Sequence, residues 1–100
     1  MNTSLQACRI VLADDHVVVR LGFRLLLEGA GATVVGEADS GESAILGYNE
    51  LLPDVLVMDV SMPGIGGLAA LERLRVAHPA SRVSLLSAHQ DPVVPVRALR

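Results

Sequence analysis

Apolar residues in this chain come in short blocks separated by polar punctuation, and the spacing inside the blocks changes from strand-like to helix-like and back. Arg9 to Ala13 is a β-branched and apolar run that ends in acids, while Val17 to Glu28 carries Val19, Phe23, Leu26 and Leu27 at helical spacing, which predicts a core-facing row. Gly29-Ala30-Gly31 closes that helix, Thr33 to Ala38 reads as a second strand, and Ser40 or Asp39 caps a helix from Gly41 to Glu50. Pro53-Asp54 interrupts the pattern before a third strand, Val55 to Asp59. A further helix, Leu68 to His78, places Leu68, Leu71 and Leu74 on one face and stops at Pro79; Arg82 to Ser87 is a fourth strand with a helical start beyond it. The order βαβαβαβ predicts an α/β fold, a doubly wound parallel sheet covered on both faces. Ligands in such sheets bind at the carboxyl ends of the strands.

One hundred residues, 51% hydrophobic and 19% charged, suit one compact domain with a modest core. A net charge of -3 and the lack of a basic run exclude direct nucleic-acid binding by this chain as the expectation. All eight basic residues are Arg, so a phosphate loop of the GxxxxGK[ST] type is ruled out for want of Lys. Gly29 and Gly31 form a GxG, but after a helix rather than a strand, and they read as a helix C-cap. Met1 to Ala7 lacks the apolar core of a signal peptide and no stretch has the length of a membrane span, so no membrane partner and a cytoplasmic location are expected. Cys8, the single cysteine, reads as a small buried or edge residue.

The informative chemistry lies at the strand ends. Asp14 and Asp15 follow the first strand and Asp59 ends the third. Three carboxylates gathered at the ends of apolar strands lose hydration and raise one another's pKa, a cost that a positive ligand relieves. Mg²⁺ suits the site, since it takes oxygen ligands and is commonly held by one or two carboxylates together with phosphate oxygens. The plainer alternative is that Asp14 or Asp15 caps the helix starting near His16, which accounts for one carboxylate and not for three. His16 reads as a surface or capping residue and His78 as a cation at a helix end; His89 falls just beyond Ser87, near the expected site.

Asp14-Asp15-His16, the segment Pro53 to Asp59, Met62-Pro63-Gly64 with Gly67, and Leu85-Leu86-Ser87-Ala88-His89 resemble, in order and spacing along nearly the whole chain, the receiver domain of bacterial two-component response regulators. Arg20, Gly22 and Gly36-Glu37 add a likeness to the LuxR/NarL-type subgroup, whose receivers precede a helix-turn-helix domain. The resemblance implies a flavodoxin-like (CheY-like) fold and a phosphoacceptor rather than an enzyme, with self-dephosphorylation at most. It implies that Asp59 takes a phosphoryl group from a sensor histidine kinase. Asp14, Asp15, Asp59 and the Ser61 main-chain carbonyl would hold Mg²⁺, and Ser87 would donate its hydroxyl to the phosphoryl group. The side chains of Ser61 and His89 would tune the lifetime of the product.

Family members continue through a fifth strand ending in a Lys and a fifth helix, whereas this sequence stops at Arg100 and contains no Lys. The expectation is therefore a receiver domain over residues 1–100, incomplete at its C-terminus, with no output domain, and with DNA control exerted through a helix-turn-helix domain that is missing here. Its fourth strand would be an exposed edge near Val83, Leu85 and Leu86, inviting a homodimer or swapped oligomer through that edge or the fourth helix. Pro95 would make that helix start late or irregularly. Two alternatives stay open: a degenerate receiver that is only an interaction surface, and an Asp-nucleophile, Mg²⁺-dependent phosphatase. Against the second, Ser61 stands where the phosphatase pattern needs a second acid.

Overall fold

A computed structural model describes residues 6–86. Strands β1 (Arg9–Ala13), β2 (Thr33–Ala38), β3 (Val55–Asp59) and β4 (Val83–Leu86) alternate with helices α1 (Val17–Gly29), α2 (Gly41–Leu51) and α3 (Gly66–Ala77). The strands pair in parallel in the order β2-β1-β3-β4. This is the doubly wound sheet that the block pattern predicts. Its topological switch point lies between β1 and β3, where the chain leaves one strand toward β2 and re-enters on the other side, opening a crevice at their carboxyl ends.

Alternation along the strands feeds two cores. Val11, Ala13, Leu56, Met58 and Val83 point to the side covered by α2 and α3. Ile10, Leu12, Val34 and Val57 point to the side where Phe23 and Leu27 of α1 pack. Burial of side chains such as Leu12, Leu56 and Met58 contributes roughly 1.5–3 kcal/mol each. Strands buried on both faces explain why the sequence shows runs such as Val55 to Met58 instead of alternating polarity.

Local chemistry fixes the helix ends. Ser40 Oγ accepts the Ser43 N–H at 3.1 Å while Ser43 Oγ accepts the Ser40 N–H at 3.1 Å, a reciprocal box that starts α2 at the expected Gly41. Leu52 ends α2 in the left-handed region at φ 45°, and the Arg9 guanidinium donates to Leu51 O at 2.9 Å and Leu52 O at 3.0 Å. The last carbonyls of the helix are thus satisfied from β1. His78 caps α3, its N–H donating to Leu74 O, before Pro79 stops the helix.

Two expectations about helix faces are corrected. Leu26 is 71% exposed, because α1 carries apolar residues around most of its circumference and turns only the Phe23 and Leu27 row to the sheet. Leu68 is 58% exposed: α3 begins two residues earlier than expected, and Gly67, Ala70 and Leu74 form the row against the sheet. Small side chains at the first two of those positions bring the helix in close and leave Leu68 outside. Cys8 is half-buried against the α1-side core, as an edge residue should be. Among the described residues β4 pairs with β3 alone; Val83 is buried, and Leu85 and Leu86 are half-buried. Ser87, His89, Pro95 and the expected fourth helix lie outside the described residues. No described helix is long and apolar enough to cross a membrane.

Candidate functional site

The ladder of β1 runs one residue past the strand, since the Asp14 N–H donates to Ala38 O at 2.9 Å. The chain then turns: Asp14 Oδ1 accepts the His16 N–H at 2.8 Å, and His16 becomes the N-cap of α1 without a side-chain cap bond of its own. The helix-capping alternative for the acids is thereby reduced to one bond from Asp14 to the residue before the first helical turn. Asp14 is 2% exposed and Asp15, one residue on, is half-buried.

Asp59 closes β3 on the neighbouring strand and is 1% exposed. Its Oδ1 accepts the Ser61 N–H at 3.2 Å, which leaves Oδ2 buried with no hydrogen-bond partner. Asp15 Oδ1 is a second buried oxygen that accepts no hydrogen bond, although His16 Nδ1 stands 3.2 Å away. One ligand atom from each of Asp14, Asp15, His16 and Asp59 falls within 4.8 Å of all the others. The three acids named by the sequence are thus brought together at the switch point.

Burial raises the Asp59 carboxyl above its ordinary value, and the charges of Asp14 and Asp15 add to the rise. The Ser61 N–H and His16 oppose it. A buried carboxylate oxygen without a donor, crowded by two other acids, costs free energy until a cation or a protonated group reaches it. The donor set, mostly carboxylate oxygen, is the chemistry of a hard divalent ion.

The loop after β3 runs close to the start of α2. Gly64 and Gly66 sit at φ +78° and +80°, where a side chain is strained, and the carboxylate of Glu42 from α2 lies against Gly64. At the other strand, the Val60 N–H donates to Leu86 O at 2.9 Å, so the end of β4 is level with Asp59. Ser87, the next residue, is outside the described range.

His16 was expected as a surface or capping residue; its ring also faces both Asp14 and Asp15 at 3.2 Å. A residue directly after two acids at a strand end was the available signal. Sequence reasoning gave Arg20 and Glu37 no role, yet Arg20 Nε donates to Glu37 Oε1 at 2.7 Å and Arg20 Nη1 to Asp14 O at 2.6 Å.

Comparison with known proteins agrees with this geometry. The model of the response regulator receiver domain matches residues 10–100. Response regulator GacA of Pseudomonas viridiflava is 44% identical over 93 residues, covering 92% of this chain and 44% of that protein. This chain therefore spans less than half the length of that relative. A two-component response regulator of the LuxR family from Aurantimonas sp. SI85-9A1 superposes with a TM-score of 0.81 at 39% identity, over 88% of this chain and 64% of that one. RcsB from Salmonella enterica serovar Typhimurium, solved bound to a promoter in the presence of the phosphomimetic BeF3-, gives 0.77 at 28% identity, over 88% and 51%. With the acid cluster at the switch point, the parallel sheet and a family match through nearly its whole length, this chain belongs to the response regulator receiver domains, among relatives of the LuxR/NarL type.

Proposed function

We propose that Asp59 is the phosphoacceptor of a two-component signalling step, taking its phosphoryl group from a phosphohistidine of a sensor histidine kinase in the cytoplasm. The observation that carries this reading is the buried Oδ2 of Asp59, without a partner and beside Asp14 and Asp15. Family membership supports a phosphoacceptor role. In the step, a carboxylate oxygen of Asp59 attacks phosphorus, the P–N bond breaks, and its electron pair leaves with the imidazole nitrogen. The product is an acyl phosphate, and no oxidant or further reactant is required.

Asp15, Asp14, Asp59 and the Ser61 main-chain carbonyl would hold Mg²⁺. When bound, the ion offsets the repulsion between the anionic nucleophile and the anionic phosphoryl group. The Ser61 N–H orients Asp59 by holding Oδ1, which leaves the other oxygen unengaged. Ser87 would donate its hydroxyl to a phosphoryl oxygen, and the side chains of Ser61 and His89 would set how long the acyl phosphate lasts. Movement of Ser87 toward the phosphoryl group would shift the segment after β4 and alter a surface for a second copy of the domain. In a longer protein carrying this domain, that change would govern a DNA-binding helix-turn-helix region; this reading leans on RcsB, whose structure holds promoter DNA.

Intact mass after incubation with Mg²⁺ and acetyl phosphate, beside the Asp59→Asn variant, tests the reading. One phosphoryl adduct that the variant lacks is the expected result. A folded chain that gains no adduct would make it an interaction module instead, and turnover of a generic phosphomonoester would make it a phosphatase.

A further inference from the structure

We propose that Arg20 is a positioning residue for the cation site, an inference that rests on the reading of Asp14, Asp15 and Asp59 as that site. Arg20 lies on α1, one turn beyond the acids, and its planar guanidinium spans two strands' ends. Nη1 donates to the carbonyl oxygen of Asp14 at 2.6 Å, and Nε donates to Glu37 Oε1 on β2 at 2.7 Å. That carbonyl belongs to the peptide linking Asp14 to Asp15. Its direction fixes the plane from which the Asp15 side chain departs, because the peptide unit is rigid and only its flanking dihedrals are soft.

Glu37 is held in turn. Its second oxygen pairs with Arg24, one turn further along α1, and Arg24 Nε also donates to Glu28 at 3.2 Å. Burial works to raise the Glu37 carboxyl, but hydrogen bonds and charge from Arg20 and Arg24 outweigh it and hold the group below its ordinary value. Glu37 therefore stays ionised near neutral pH and keeps the guanidinium aligned. Residues that orient ligands from behind change metal affinity about 10–100-fold when lost.

Charge and position pull in opposite directions here. Removing the positive charge of Arg20 would favour a cation in the pocket; releasing the Asp14–Asp15 peptide would disfavour it. Weaker binding after Arg20→Gln is thus a sign that an electrostatic role does not give. Arg20→Lys keeps the charge but lacks the planar fork that holds Glu37 and the carbonyl together.

The test is Mg²⁺ titration calorimetry on the 100-residue chain and on the two Arg20 variants, with Glu72→Gln on the exposed side of α3 as a control, each checked for folding by circular dichroism. We expect Mg²⁺ affinity about 10-fold lower for Arg20→Gln, lower than the parent for Arg20→Lys, and unchanged for Glu72→Gln. The Asp15 amide nitrogen resonance should shift in both Arg20 variants, and the Mg²⁺ concentration for half-maximal labelling by acetyl phosphate should rise while the saturated rate holds. Either folded Arg20 variant binding Mg²⁺ as tightly as the parent would overturn the inference. A parent chain that binds no Mg²⁺ would overturn the metal reading and this inference with it.

Discussion

Gly67, on the first turn of α3, stands directly against the main chain of Asp59: a Cβ at Gly67 would lie 2.5 Å from Asp59 O and 2.9 Å from Val60 Cα. The atoms it would strike are backbone, which yields less than a side-chain end. Gly67→Ala should cost about 1–3 kcal/mol, as overpacking does. Because α3 must then lift from the end of β3, the Asp59 environment should change as well. Urea unfolding measures the first, and the Asp59 and Ser61 amide resonances report the second.

Asp59→Asn should abolish labelling by acetyl phosphate and stabilise the fold by about 1 kcal/mol at neutral pH, the size expected on relieving an unpaired buried charge. Burial and the neighbouring acids raise the Asp59 carboxyl, so between its ordinary and its raised value the native chain holds more protons than the unfolded one. The stability of the parent therefore falls as pH rises through that window, and the full penalty stands above it. The advantage of Asn should shrink as the solution is acidified toward the ordinary carboxylate value. Urea midpoints across that range, with no advantage for Asn at neutral pH, would contradict this account.

Mg²⁺ should raise the melting temperature, and EDTA should reverse the effect. Binding to the native state alone contributes about 2.7 kcal/mol when the ion is present at a hundred times its dissociation constant. Asp15→Asn, which removes a carboxylate from the cluster, should lose most of that gain. Scanning calorimetry with and without the ion distinguishes the outcomes.

Ser40→Ala removes the half of the box in which Ser40 Oγ accepts the Ser43 N–H, and leaves the main-chain N–H of position 40 donating to Ser43 Oγ. A loss of about 1 kcal/mol is expected. Labelling of Asp59 should persist, because α2 supplies none of the clustered acids. A drop in stability below a few tenths of a kcal/mol would show that solvent replaces the cap.

Much of the fold was legible because two-sided burial leaves a plain mark: Ile10 to Ala13 and Leu56 to Met58 are apolar throughout, and acids follow at the ends that meet at the switch point. The start of α2 was legible in Asp39-Ser40, two capping side chains in a row, of which the structure uses Ser40. Leu26 and Leu68 were misplaced because periodicity gives spacing but not which row faces inward when apolar residues surround a helix or when glycine and alanine form the inner row. The Arg20 bridge was hidden for a different reason. Its partners are a main-chain carbonyl and a β2 residue, and only the register of β1 beside β2 brings them within reach. Arg20 and Arg24, four apart and facing one carboxylate, were the faint trace.

Helix α1 has no fully buried residue, while Val17, Val18, Leu21 and Leu25 are all exposed. It is moored by Phe23, Leu27 and the two arginines that share Glu37. A helix so lightly held opens at lower free energy than one whose inner row is closed from solvent, as that of α3 is. Backbone amides of α1 should therefore exchange with deuterium well before those of α3. Since the acid-bearing turn leads straight into α1, each such opening also dissolves the pocket, and occupancy of the pocket should slow exchange along a helix that supplies none of the three carboxylates.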